Sequence, residues 1–230
     1  MLILYSYPEL FGVADNNGYG LKVFAYLKIA GVPFEHRHIL DASAAPRGQL
    51  PYIVDGSEIV GDSDAIIAHV ARRYGADLDS QLTDMQRKLG LMLRRTLDDL
   101  YWVMSYSRWK DDAFWPAFSA ALLAQHPSLS MADLERARSF NANRYYFQGI
   151  GRFEPRDAYA RGIADLQAIA SFIPDDGFLF GEQPSSADAA LYGFIANIYF
   201  YPIETPLRQC VMEERRLVHH CEAVHAMAMG

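Results

Sequence analysis

The hydrophobic pattern of this chain changes near residue 80, and the change restricts the folds that the chain can adopt. Before that point, short apolar runs rich in β-forming residues alternate with helical patterns, whereas no convincing strand pattern follows it. Strands followed by a long series of helices are typical of α+β proteins or of separate domains. Because the polar residues 75–83 lie at the change, the 230-residue sequence predicts one domain over 1–77 and an all-helical one over 84–230.

Six elements are predicted in the first part of the chain, in the order β-α-β-β-β-α. The strands are expected at 2–7, 34–40, 50–56 and 58–60, and the helices at 21–30 and from Asp62 onward. A strand-helix-strand unit places its strands in parallel through a right-handed crossover, and the Asp-Gly pair at 55–56 is typical of a hairpin turn. The second part predicts helices at 84–110, 131–147, 157–173 and 186–200. These patterns predict a small mixed sheet followed by a helical bundle.

The charge of the chain restricts its partners. Its 21 basic and 28 acidic residues give a formal net charge of −7, which disfavours binding to nucleic acid or to an anionic membrane. There is no run of 18 apolar residues and no signal-peptide pattern, so the cytoplasm is the expected location. Cys210 and Cys221 do not form a disulfide framework. His219, His220 and His225 lack acidic or cysteine partners in the sequence, so we interpret them as surface residues and expect no metal.

Pro51 begins a predicted strand, and the sequence leaves two interpretations of it open. If the peptide bond between Leu50 and Pro51 is cis, the backbone of Leu50 turns outward and offers its N–H and C=O groups to a ligand. If the bond is trans, Pro51 simply opens an edge strand, because proline cannot donate a hydrogen bond to a sheet.

Residues 61–64, Gly-Asp-Ser-Asp, also allow two interpretations. The hydroxyl of Ser63 and the free N–H groups at a helix start bind anions such as a carboxylate, and Asp62 would then hold a neighbouring ammonium group. Alternatively, the segment only caps the helix. Since a short hairpin joins it to Pro51, we expect both features at one edge of the sheet, facing the start of the first helix.

Aromatic residues are dense between positions 101 and 118. Packing between helices is the simpler explanation of this cluster. Alternatively, part of it walls an apolar ligand pocket, for which Tyr106 and Trp109 are the candidates. Ser185-Ser186-Ala187-Asp188 is a variant of the capping box and is predicted to start a helix.

Several of these motifs resemble a known family. Gln49–Gly56 followed by Gly61–Ile66 resembles the glutathione-site signature of the glutathione transferases, and Gly181–Asp188 resembles the capping motif of their second domain. Leu100–Trp109 and Ala189–Ala196 resemble more narrowly the branch that contains metaxins and failed axon connections proteins. The resemblance implies a thioredoxin-like N-terminal domain with a four-stranded mixed sheet, an all-helical C-terminal domain, and glutathione as co-substrate without a metal.

The resemblance also implies roles for individual residues. Leu50 matches the position whose backbone pairs with the cysteinyl part of glutathione, and Pro51 matches the cis-proline. Asp62 and Ser63 match the residues that bind the γ-glutamyl part. The residues expected toward the glycyl end are Gln49 and Arg47. Because the family often forms two-fold dimers, a homodimer is also expected.

The sequence departs from the family at the residue that activates the thiol. Family members place a Ser, Cys or Tyr near the end of the first strand or the start of the first helix, and the Ser or Cys position falls on Asn17. Because neither end of Asn17-Gly-Tyr-Gly20 is a cysteine, chemistry that needs a protein thiolate is excluded there. Asn17, Tyr19, Tyr5 and Tyr7 are the candidate donors to the thiol, and strand alternation places Tyr5 and Tyr7 on the same side.

Two functions remain open on this basis. The first is an enzyme that conjugates glutathione to a small apolar electrophile, supported by the intact binding motifs. The second is a non-catalytic binding or interaction protein of metaxin type, supported by the asparagine at position 17.

Overall fold

The four strands of the chain form one mixed sheet. In the computed structural model, which describes residues 1–230, β1 (Leu2–Ser6) lies between β2 (Phe34–His38) and β3 (Tyr52–Asp55), and β4 (Glu58–Gly61) forms the edge beside β3. β1 pairs in parallel with β2 and antiparallel with β3, and β3 and β4 form an antiparallel hairpin. The predicted four-stranded mixed sheet is therefore confirmed.

Two helices complete this part of the chain: α1 (Gly18–Ile29) and α2 (Ser63–Tyr74). α1 begins at Gly18 rather than at the predicted residue 21, because the side chain of Asn17 caps it by accepting the backbone N–H of Tyr19. Most of α1 is buried, as its apolar sequence predicts, since it packs into a core shared by the sheet and the later helices.

Seven helices follow the sheet. They are α3 (Asp84–Trp109), α4 (Trp115–Gln125), α5 (Met131–Gln148), α6 (Pro155–Phe172), α7 (Ser186–Tyr199), α8 (Pro206–Glu213) and α9 (Arg215–Met229). The four predicted helices correspond to α3, α5, α6 and α7. The sequence pattern missed α4 because its apolar residues are spread around the helix, and it missed α8 and α9 because only Glu214 separates them. None of the helices is both long and apolar enough to cross a membrane.

Two glycines bring α1 and α7 into direct backbone contact. A Cβ atom added to Gly193 would lie 2.4 Å from the carbonyl oxygen of Gly18 and 2.8 Å from the backbone nitrogen of Lys22. A Cβ atom added to Gly18 would lie 2.8 Å from the ring of Phe194. The absence of side chains at these positions lets the helices approach closely, and one hydrophobic core extends from the sheet into the helices. The thioredoxin-like fold followed by helices is thus confirmed.

The start of α7 is held by a buried carboxylate. Asp188 accepts hydrogen bonds from the backbone N–H of Ser185 at 2.8 Å and from its hydroxyl at 2.7 Å, which is the capping box that the sequence predicts. The Nε2 atom of His220 lies 2.8 Å from the other oxygen of Asp188. The interpretation of His220 as a surface residue was wrong: the residue is 2% exposed, because α9 folds back against the start of α7.

Candidate functional site

The peptide bond between Leu50 and Pro51 is cis. Neither the N–H nor the C=O group of Leu50 takes part in a hydrogen bond within the chain, because the residue precedes β3 and pairs with no strand. Of the two interpretations of Pro51, the structure therefore shows the one in which a pair of backbone polar groups is available to a ligand.

The start of α2 confirms the capping interpretation of residues 61–64, and the anion-binding interpretation stays a prediction. Asp62 is the cap: its Oδ1 atom accepts the backbone N–H groups of Asp64 at 3.0 Å and Ala65 at 3.1 Å. Its Oδ2 atom accepts a hydrogen bond from the Nη2 atom of Arg47 at 3.1 Å. Partial burial raises the pKa of Asp62, but these hydrogen bonds and the charge of Arg47 lower it by a larger amount. The pKa therefore lies below its ordinary value, and the carboxyl stays ionised.

The hydroxyl proton of Ser63 is free for a hydrogen bond to an anion. Its side chain lies beneath the helix start, where the Nζ atom of Lys22 donates to its Oγ atom at 3.2 Å. Lys22 is 4% exposed and forms an ion pair with Asp64. Because a hydroxyl that accepts one hydrogen bond keeps its own proton free, Ser63 can donate to a carboxylate at this positive helix end. One local signal could have indicated Lys22, because it is one of two charged residues in a mainly apolar helix.

A cavity of about 500 Å³ opens between these segments and the helices. It brings together every residue that the resemblance placed in a glutathione site and three of the four candidate donors to the thiol. These residues are Tyr7, Asn17, Tyr19, Arg47, Gln49, Leu50, Pro51, Asp62 and Ser63. The opposite wall is formed by side chains of α3 and α5, among them Asp98, Tyr101, Trp102 and Arg144. We refer to this space as the first cavity.

A second cavity of about 340 Å³ adjoins the first and is mainly apolar. It lies between α3, α4 and α5, and Trp109 contributes to its wall as the sequence suggested. Five residues line both cavities and mark where they meet: Tyr7, Asn17, Tyr101, Phe140 and Arg144. The residue types in the second cavity suit a small, largely apolar molecule.

Tyr106 does not line either cavity. It is 2% exposed and its ring packs edge-on against Tyr159, with 5.9 Å between ring centroids, and lies 6.3 Å from Tyr145. The position of Tyr106 on α3 turns its side chain toward α6 rather than toward α4. The sequence did not distinguish it from Trp109, because which face of a helix meets which neighbour depends on the packing of the bundle.

Asn17 lies at the junction of the two cavities, and its amide orientation is fixed by its role as a cap. The Oδ1 atom accepts the backbone N–H of Tyr19 at 3.0 Å, and the backbone N–H of Asn17 donates to Asp15 at 2.7 Å. The Nδ2 group makes no hydrogen bond within the chain and is not enclosed. Asn17 therefore presents a free donor where the cavities meet, at the positive end of α1.

The three tyrosines differ in what their hydroxyl groups do. Tyr19 donates to the carboxylate of Asp98 at 3.0 Å, and burial together with that charge raises its pKa. Tyr5 stacks on Tyr52 and accepts from Arg37 at 3.1 Å, and it lines neither cavity. The hydroxyl of Tyr7 has no partner in the chain; burial raises its pKa, so it remains protonated. Tyr5 and Tyr7 pack against the same small cluster that contains Leu50, as strand alternation predicts, but only Tyr7 lines the cavities.

The loop that carries Asn17 is held in place by Arg108, which sequence analysis missed. This buried guanidinium donates to the carbonyl of Asn16 at 2.6 Å and to the carbonyl of Asn197 at 2.7 Å. The amide of Asn197 in turn donates to the carbonyl of Asp15 at 3.2 Å. Arg108 lies more than ninety positions after the loop in the chain, so no local pattern indicates the contact.

Comparisons with known proteins agree with this arrangement. The sequence model described as "Glutathione S-transferase N-terminal domain" matches residues 19–114, and the one described as "Glutathione S-transferase, C-terminal domain" matches residues 162–224. The isoprene-epoxide–glutathione S-transferase of Rhodococcus sp. (strain AD45) is 30% identical over 97% of this chain and 98% of its own length.

Relatives of the expected branch are also found. The failed axon connections protein of Drosophila melanogaster is 25% identical over 93% of this chain, which spans 54% of that protein. The metaxin-1 homolog of Caenorhabditis briggsae is 22% identical over 87% of this chain, which spans 65% of it.

Solved structures show the same fold. Glutathione transferase GSTFuA3 from Phanerochaete chrysosporium superposes with a TM-score of 0.68 at 18% identity, over 98% of this chain and 96% of that one. The glutathione complex of CsGST63524 from Ceriporiopsis subvermispora gives 0.60 at 14% identity, over 98% and 97%. With domain models matching both parts of the sequence and a relative aligned over nearly its whole length, the chain belongs to the glutathione S-transferase family.

Proposed function

We propose that this protein binds glutathione in the first cavity and conjugates it to a small apolar electrophile held in the second. The observation that carries the proposal is the junction of the two cavities, where Asn17 offers a free hydrogen-bond donor beside both. A thiol bound there would face the acceptor directly, as a bimolecular conjugation requires.

In the proposed complex, the chain binds glutathione along the edge of the sheet. The free backbone groups of Leu50 pair with the cysteinyl residue in the manner of an added strand. The γ-glutamyl carboxylate accepts from Ser63 and the start of α2, with Lys22 adding positive charge. Arg47 and Gln49 lie toward the glycyl carboxylate.

Asn17 is the proposed activating residue. Its Nδ2 group would donate to the thiolate, and the start of α1 adds the positive end of a helix dipole. A hydrogen bond to a charged acceptor contributes about 1.5–3 kcal/mol, which lowers a thiol pKa by about one to two units. Tyr7 is the second donor within the junction. Tyr19 is a poor candidate, because its proton is already engaged by Asp98.

The size and the residue types of the second cavity indicate which kind of acceptor it binds. Its volume of about 340 Å³ and mainly apolar wall fit a small hydrophobic molecule. The Rhodococcus relative is named for an epoxide of isoprene, which is an acceptor of this kind.

A non-catalytic binding protein is the alternative function. It is favoured by the asparagine in place of a Ser, Cys or Tyr, together with the similarity to the failed axon connections and metaxin proteins. The homodimer implied by the family resemblance and the cytoplasmic location expected from the sequence are likewise proposals; light scattering of the purified chain tests the first.

Two measurements on the same preparation test the proposed function. Calorimetric titration measures glutathione binding, and the loss of free thiol measures conjugation of an aryl or alkyl halide. We expect binding at millimolar glutathione or below, and turnover above the uncatalysed rate. Binding without turnover would support the alternative function, and no binding at millimolar glutathione would contradict the assignment of residues 47–63.

A further inference from the structure

The junction of the two cavities holds a cation that the binding of glutathione does not explain. Arg144 projects from α5 and lines both cavities, on the wall opposite the Leu50 and Ser63 segments. Its Nη1 atom donates to the Oδ1 atom of Asn141 at 3.0 Å, and none of its other N–H groups has a partner in the chain. Four of its five N–H donors therefore remain available.

Aromatic rings hold the guanidinium of Arg144 in place. Its central carbon lies 5.1 Å from the ring centroid of Trp102 and 5.9 Å from that of Phe140. The amide of Asn141 is itself fixed, because its Nδ2 atom donates to the carbonyl of Ala137 at 2.9 Å. The guanidinium of Arg144 is half-buried and contacts two rings and one amide, so its position is fixed before a ligand binds.

No carboxylate neutralises Arg144. The two acidic side chains that line the cavities near it are paired elsewhere: Asp98 with Arg95 at 2.9 Å, and Asp133 with Arg136. The charge of Arg144 nevertheless acts on the junction, since it opposes the rise in pKa that burial causes at Tyr7. The junction thus contains more donors than one thiolate can accept: Asn17, Tyr7 and Arg144.

We propose that Arg144 is a catalytic residue that binds the oxygen atom of an epoxide acceptor as the ring opens. This inference rests on the proposed function. A surplus of donors at the reacting centre suits a substrate whose oxygen becomes negatively charged as the sulfur attacks. An alkyl halide also releases an anion, but iodide is a weak hydrogen-bond acceptor and gains little from a guanidinium.

The reaction balances without another reactant. The thiolate of glutathione attacks a ring carbon of the epoxide, the C–S bond forms, and the C–O bond breaks with its electron pair moving to oxygen. Arg144 donates hydrogen bonds to the resulting alkoxide and transfers no proton to it. The proton lost by the thiol returns to the alkoxide, and the product is a thioether with a hydroxyl on the neighbouring carbon.

Two acceptors with the same carbon skeleton test the role of Arg144. Styrene oxide has an oxygen that gains charge and stays on the product, whereas 2-phenylethyl iodide loses an iodide. In R144M, we expect kcat/KM to fall about 10- to 100-fold for the epoxide, the range for loss of a hydrogen bond to a charged group. For the iodide it should fall no more than about threefold, which also shows that the variant is folded. R144K should recover part of the epoxide activity.

R156M is the matched control. Arg156 lies in the first turn of α6, is exposed and lines neither cavity. It should leave both rates unchanged. Equal losses with both acceptors in R144M, or a raised KM for glutathione with both, would overturn the inference by assigning Arg144 to the thiol or to glutathione. Turnover of the iodide but not the epoxide by the wild type would overturn it and leave the proposed function standing; turnover of neither would overturn both.

Discussion

The side chain of Asn17 performs two tasks that one substitution can separate. N17D keeps the Oδ atom that caps α1 but replaces the free Nδ2 donor with a negative oxygen. We expect the thiol pKa to rise, so kcat/KM near neutral pH should fall at least about tenfold. Because the thiol ionises by itself at high pH, the rates of variant and wild type should converge above the pKa of free glutathione. A pH–rate profile checks this expectation.

Y7F is the comparison for this prediction. It removes the other free donor at the junction without touching the start of α1. If the pH–rate profile shifts in Y7F but is unchanged in N17D, the activating residue is Tyr7 rather than Asn17.

Ser63 provides a second residue-level prediction, one that concerns binding alone. S63A removes the hydroxyl proposed to donate to the γ-glutamyl carboxylate and leaves the amine of Lys22 without one of its acceptors. We expect glutathione to bind about tenfold more weakly or worse, from the loss of one hydrogen bond to a charged group. Titration calorimetry measures the change. S57A, in the exposed hairpin turn, is the control; a similar loss in both variants would contradict the assignment.

At the scale of elements, the start of α7 depends on an ionised carboxylate. Burial raises the pKa of Asp188, but hydrogen bonds and the charge of His220 outweigh it, so the pKa lies below the ordinary value. A group whose pKa is depressed by folding contributes stability that is complete above its unfolded pKa, about 3.9, and is lost as pH falls through the folded pKa.

The variant D188N should therefore be less stable near pH 7 by about 1–3 kcal/mol, the typical cost of leaving buried hydrogen-bonding partners unsatisfied. The difference from the wild type should shrink as the pH falls below 4. Thermal unfolding at several pH values measures both effects. A constant difference across that range would show that ionisation of Asp188 does not stabilise the fold.

The close contact between α1 and α7 predicts that a larger residue at Gly193 destabilises the fold. G193A places a methyl group against backbone atoms at 2.4 and 2.8 Å, so one helix must move. We expect a loss of about 1–3 kcal/mol in the free energy of unfolding, as for other overpacked cores. Because α1 carries Lys22 and begins beside Asn17, glutathione binding should weaken as well.

G90A makes the same substitution inside another helix, α3. Its added methyl would meet nothing closer than 3.5 Å, so the variant should be as stable as the wild type or more stable, by up to about 1 kcal/mol of helix propensity. Urea unfolding compares the two. Equal effects would show that propensity, rather than close packing, governs these positions.

At the scale of the whole molecule, the division at residues 77 and 84 separates the elements but not the core. α1 is covered by α7 and α9, and the largest core cluster contains residues from both parts. A fragment of residues 1–77 would expose this face of α1, and we expect it to lack a cooperative thermal transition. The full chain should unfold in a single transition followed by circular dichroism. A folded fragment would show that the first part is independently stable.

The sequence by itself determined the order of the strands and of α1 to α3, the mixed sheet, and the segments at Pro51 and Asp62 that border the first cavity. Those features rest on local signals: alternation in strands, amphipathic spacing in helices, Pro51 and the acidic cap at Asp62. The same local signals explain why α3, α5, α6 and α7 were predicted, whereas α4, with apolar residues on all sides, was not.

Only the tertiary structure decided which side chains share a cavity. It placed Trp109 at the second cavity and Tyr106 in the core, and it placed Tyr7 but not Tyr5 at the cavities. It also brought Arg108 to the loop of Asn17 and Arg144 to the junction. Contacts of this kind join residues far apart in the chain, and they depend on how helices pack against one another. No periodicity along the sequence records that packing, because a helix has the same pattern whichever neighbour covers its face.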